Sequence, residues 1–95
     1  MREIRYNIDA DTGQPHILGH GVTTREVEDV LARPLDDFRS RDNSRIALGQ
    51  TRHGRYLKVI YVPDEDRRGL FVVTAYELRG KTLAALNRRL RRKGL

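Results

Sequence analysis

The sequence predicts an α+β fold: a small antiparallel sheet of about four strands, with helices packed on one face and a basic C-terminal helix. Three observations predict it. Apolar residues alternate with polar ones in several short blocks, a capping box opens one amphipathic helix, and a leucine stripe marks a second helix at the end. With 95 residues, positions 1–95 are read as a single domain with one modest core.

The elements follow in order. From Arg2 to Ile8, charged or polar residues alternate with Ile4, Tyr6 and Ile8, the pattern of an edge strand. Asp9 to Pro15 is turn chemistry. His16 to Gly21 is open between a loop and a short helical turn broken by Gly19 and Gly21. Thr23 and Glu26 then form a capping box, and Val22 and Val27 a hydrophobic staple. Val27, Val30 and Leu31 share one face, and Pro34 stops the helix near Ala32, so a helix is predicted over 24–32. Leu35 to Ser44 reads as charged and irregular. Ile46 to Thr51 is a strand, His53-Gly54 a tight turn, and Arg55 to Val62 the returning strand. The second half of that strand is apolar on both sides, which predicts a central place. Pro63 to Gly69 is a second hairpin loop and Leu70 to Tyr76 a further strand. Thr82 is positioned to cap a last helix with Leu83, Leu86 and Leu90 on its buried face. Arg88 and Arg92 lie opposite that stripe, with Arg91 and Lys93 beside it.

Charge is distributed unevenly. Residues 1–78 hold twelve Lys/Arg against thirteen Asp/Glu, a net charge of −1, while residues 79–95 hold seven cations and no acid. Five cations in the six residues 88–93 exceed what the helix macrodipole rewards, so this end is expected to meet an anion. The chain has no cysteine, which excludes a disulfide framework, thiolate metal sites and thiol chemistry. No apolar run approaches a membrane span, and no secretory segment is visible, so the expected compartment is the cytoplasm. Docking on a membrane surface is a weak option, because the three leucines of the last helix are needed for the core.

No phosphate-cradling glycine loop, nucleophile elbow or zinc spacing appears, so neither a metal nor a cofactor is expected. His16 and His20 have the four-residue spacing of a ligand pair, but no third ligand is evident. His20 is a candidate for proton transfer or, equally, a structural histidine before a turn. His53 reads as a loop residue. Arg45, Arg52 and Arg55 flank the first hairpin and suit phosphate oxygens through the planar guanidinium fork, or serve as solvated strand ends. Tyr76, with Glu77, Arg79 and Lys81 close behind, is placed to stack on a base or to cap the core.

Several motifs together resemble a known family. His20-Gly21-Val22, followed by an acidic helix and Pro34, is similar to the His-Gly-Val helix entry of BrnT-type toxins. Gly49-Gln50-Thr51 and Gly54-Arg55-Tyr56-Leu57-Lys58-Val59-Ile60-Tyr61 resemble that family's hairpin, and Val73-Thr74-Ala75-Tyr76 its last strand. The resemblance spans about residues 16–78 and the basic final helix. It implies a RelE-like fold, within the RelE/ParE-like superfamily, and the toxin of a type II toxin–antitoxin pair that cuts RNA without metal. His20 falls on the family's histidine and Arg55 on its Gly-Arg arginine. Gly19 stands where the family has Lys and Tyr76 where it has Arg, an ending similar to a less characterised sister branch.

The expectation is therefore a metal-independent RNA endonuclease that inhibits translation. His20 or Tyr76 would move protons and Arg45 and Arg55 would stabilise phosphate charge. Arg52, Arg79, Lys81, Arg88, Arg91 and Arg92 would contact nucleic acid. The implied partners are a cognate antitoxin, through which the chain oligomerises, and mRNA, on or off the ribosome. The alternative is a non-catalytic RNA- or partner-binding module of the same fold.

Overall fold

Alternation along the strands sets the architecture. The computed structural model describes residues 3–92. It contains β1 (Glu3–Tyr6), a 3-10 turn (His16–His20), α1 (Thr24–Ala32), β2 (Asp36–Arg39), β3 (Arg45–Gln50), β4 (Tyr56–Pro63), β5 (Gly69–Glu77) and α2 (Gly80–Arg92). The strands form one sheet in the order β1-β5-β4-β3-β2. The strand expected to be central, β4, is central. Three pairings are antiparallel, and β1 joins the edge of β5 in parallel, with Glu3 opposite Gly69 and Tyr6 opposite Val72. The fold is α+β, as the sequence predicts.

Successive residues of a strand face opposite sides, and both sides of this sheet are used. Ala47, Leu57, Val59, Tyr61, Leu70, Val72 and Ala75 face Ile17, Val22, Val27, Val30 and Leu31, so the 3-10 turn and α1 cover one face. Ile46 and Leu48 alternate with Ala47 and meet Leu78 and Leu86 on the other face, under the basic helix α2, with Phe38, Tyr56 and Ile60 packed alongside. Helix α1 approaches β3 closely: a Cβ at Gly49 would stand 3.0 Å from Val30 Cγ1. A side chain there would have to push Val30 aside by a few tenths of an ångström.

The predicted start of α1 is present in full. Thr23 Oγ1 accepts the Glu26 N–H at 3.2 Å, and Glu26 accepts the Thr23 N–H at 3.0 Å. Two expectations are corrected. Leu35 to Ser44 is not irregular: Asp36–Arg39 is a fifth strand, with Asp36 opposite Leu48 and Phe38 opposite Ile46. Adjacent carboxylates disfavour a strand, but here each meets a cation from elsewhere, Asp36 meeting Arg89 at 2.7 Å and Asp37 meeting Arg45 at 2.8 Å. Thr82 does not cap α2. The helix begins earlier, at Gly80, and the Thr82 hydroxyl donates to the Arg79 carbonyl at 2.7 Å.

Candidate functional site

The site arises where β1 stops. Beyond Tyr6, the Asn7 N–H still donates to Val72 O at 3.0 Å and its amide to Val73 O at 3.4 Å. The chain then leaves β5 through a closed turn, in which the Asp9 N–H donates to Gln14 O. It returns as the 3-10 turn, packed on β5. Gly21 ends that turn in the left-handed region (φ 73°), with its N–H on Leu18 O. This reversal sets His20 beside the end of β5, its ring centroid 6.3 Å from that of Tyr76. Tyr76 lies opposite Lys58 in the β4–β5 register, and the Lys58 ammonium stands 5.7 Å from the Tyr76 ring centroid.

Behind His20 runs a chain of polar contacts. His20 Nε2 is 3.2 Å from His16 Nε2, and His16 Nδ1 is 2.9 Å from Asp9 Oδ1. The two imidazoles meet edge to face at 4.9 Å. All of these groups are exposed or half-buried, within reach of a solvent-borne substrate.

Arg55 secures the same corner from the hairpin. Its Nη1 donates to both Glu26 oxygens at 2.8 Å and to Gly21 O at 3.0 Å, and its Nη2 to Glu77 at 3.3 Å. Arg79 also reaches Glu77, at 3.0 Å. Burial works against the Glu26 carboxylate, yet the Thr23 N–H and the Arg55 guanidinium together hold its carboxyl below the ordinary range. Hydrogen bonding to Arg79, with help from Arg55, lowers that of Glu77. The arginine joins the turn after His20, the start of α1 and the end of β5.

Arg45 is elsewhere. It opens β3 opposite Tyr61, whereas Gln50 at the far end lies opposite Tyr56, next to Arg55. A strand of this length separates its ends by roughly 17 Å. Its guanidinium is hydrogen-bonded to Asp37, which also accepts the Tyr61 hydroxyl. Arg45 therefore does not join His20, Tyr76 and Arg55. Of the other expected contacts, Arg52 is 71% exposed, 3.5 Å from Asp29. Arg79 is also exposed, as are Lys81, Arg88, Arg91 and Arg92 on α2. Lys93 lies outside the described residues. Arg89 is turned to the sheet, on Asp36 and 4.8 Å above the Phe38 ring.

Sequence reasoning missed Asp9 and Lys58 and considered His16 only as a metal ligand. The available signal was the His-x-x-x-His spacing just after an Asp-rich turn. Among the described residues, no group of three or more His, Cys, Asp or Glu side chains is arranged to hold a metal ion, and no helix is long and apolar enough to cross a membrane.

A family profile matches residues 16–77, about two thirds of the chain. The chain belongs to the family described as Domain of unknown function (DUF4258). The part matched to DUF4258 opens on His16 and closes on Glu77, so it contains His20, Arg55, Lys58 and Tyr76 but neither Asp9 nor α2. No curated protein and no solved structure matches the chain.

Proposed function

We propose that this chain is the toxin of a type II toxin–antitoxin pair and a metal-independent RNA endonuclease acting in the cytoplasm. The observation that carries the reading is the meeting of His20, Tyr76 and Lys58 on the β4–β5 half of the sheet. Lys58 and Tyr76 are neighbours across the β4–β5 register, and both are half-buried. A single-stranded RNA laid across that half finds an aromatic ring for a base, an ammonium for a phosphate and an imidazole for a proton.

In the proposed reaction, the ribose 2′-oxygen attacks the adjacent phosphorus and its proton passes to His20. The Tyr76 phenol gives a proton to the departing 5′-oxygen. The products are a 2′,3′-cyclic phosphate and a 5′-hydroxyl. The Lys58 ammonium offsets charge on the pentacovalent phosphate. Arg55 shapes the turn after His20 and touches no phosphate, and Arg45 has no part in the step. The exposed cations of α2 hold the RNA backbone or the acidic segment of an antitoxin.

Induction of the wild type should arrest growth, and the purified chain should cleave RNA in the presence of EDTA. The His20→Ala/Tyr76→Phe double variant should leave RNA intact. A wild type that leaves RNA intact defeats the proposal. The second reading is a non-catalytic binding module of the same fold. It is favoured by the engagement of Arg55 with two carboxylates, Glu26 and Glu77, instead of with a substrate phosphate. That reading requires salt-dependent RNA binding without cleavage.

A further inference from the structure

We propose that Asp9 and His16 form a tautomer relay that keeps Nδ1 of His20 free of a proton, a role that rests on reading His20 as the base. The partner of His16 Nδ1 is the Asp9 carboxylate, at 2.9 Å. An ionised carboxylate only accepts hydrogen bonds, so Nδ1 of His16 carries the proton. A neutral imidazole has one N–H, which leaves His16 Nε2 as an acceptor. That atom faces His20 Nε2 at 3.2 Å. Two bare nitrogens would repel at this separation, so His20 Nε2 donates. The one proton of His20 is thereby committed, and its Nδ1 keeps the lone pair that a general base needs.

Asp9 is itself fixed. Its N–H donates to Gln14 O at 2.9 Å, and its carbonyl accepts the Gly13 N–H at 2.8 Å. The carboxylate is therefore presented by a closed turn, whose ends are pinned where Ile8 bridges to Pro15. Without that carboxylate, His16 is no longer held with its proton on Nδ1. A proton on His16 Nε2 would face His20 Nε2 and drive the His20 proton to Nδ1, the position required to be bare. Asp9 thus acts as a positioning residue one imidazole removed from His20. The corresponding consequence in catalytic triads is that an imidazole held in the wrong tautomer loses most of its power as a base.

The test is nitrogen-15 NMR of the imidazoles in the full chain at a pH where both rings are neutral. In the wild type, His16 should show a protonated Nδ1 and a bare Nε2, and His20 the reverse. Asp9→Asn presents N–H donors as well as a carbonyl, so it no longer forces the proton onto His16 Nδ1, and like Asp9→Ala it should move the His20 proton to Nδ1. In RNA cleavage, Asp9→Ala and Asp9→Asn should each lower kcat on the order of 10²-fold with KM unchanged. A wild-type His16 protonated on Nε2 overturns the relay. So does an Asp9→Ala chain that keeps the wild-type amide fingerprint and the wild-type His20 tautomer. If Asp9→Ala fails to fold, the wild-type and Asp9→Asn spectra decide alone. The expected tautomers in a wild type that leaves RNA intact would keep the relay and remove the nuclease reading.

Discussion

Helix α1 buries Val27, Val30 and Leu31 and opens on a complete capping box, whereas α2 fully buries Leu86 alone and has no acid in its first turn. Both are amphipathic and both lie on the same sheet. The difference follows from what their polar faces must do. The capping carboxylate of α1, Glu26, points inward to Arg55 and locks the helix to the hairpin. The cations of α2 need water, so that helix rests on Leu86, the half-buried Leu83 and Leu90, and the Arg89–Asp36 pair. One helix is part of the body, and the other is a charged element laid on it.

The largest test of this contrast is cavity formation. Leu86→Ala should cost about 3 kcal/mol, and Val27→Ala, which removes fewer carbons, about 2 kcal/mol. Despite the larger cost, Leu86→Ala should speed amide hydrogen exchange chiefly within residues 80–92, while Val27→Ala should lower protection everywhere. Equal exchange profiles for the two variants would erase the distinction between the helices.

A smaller effect concerns acid. The Glu26 carboxyl is held below its ordinary range in the folded chain, by the Thr23 N–H and Arg55 against the opposing effect of burial. A lowered carboxyl contributes stability above its unfolded value, and that contribution is lost as pH falls through the folded value. Urea melts of the wild type should therefore weaken progressively as pH falls below about 5. Arg55→Gln should be less stable at pH 7 and show a flatter decline. An unchanged slope would mean that Arg55 does not hold Glu26 as described.

The smallest effect on stability should come from the exposed face of α2. Changing Arg88, Arg91 and Arg92 together to Gln should alter stability by no more than about 0.5 kcal/mol. The log–log salt dependence of RNA binding should nevertheless become shallower by about 2. A large loss of stability would place those arginines in the body of the fold.

The parts of the fold that were legible are those decided by neighbours in sequence. The Thr23–Glu26 box and the Val27, Val30, Leu31 face lie within nine residues, and α1 spans the expected 24–32. The alternation of Leu57, Val59 and Tyr61 likewise marked β4. Strand β2 was not legible, because the cations that make its carboxylates acceptable, Arg45 and Arg89, come from β3 and from α2. The candidate site divides in the same way. His20 and Tyr76 could be named from local motifs. Arg45 was grouped with Arg55 because both flank one hairpin, and the length of β3 separates them. The contact between Asp9 and His16 depends on a turn that closes only when Ile8 meets Pro15.

The parallel pairing of the first strand with the last has a consequence for synthesis. Glu3 to Tyr6 leave the ribosome well before their partners Gly69 to Val72. Tyr76 follows still later. Such long-range contacts form only after the loop between them has been closed, which is the slow part of folding. A nascent chain therefore carries its histidines long before it has the strand against which they are set. The assembled corner exists only once β5 has been made.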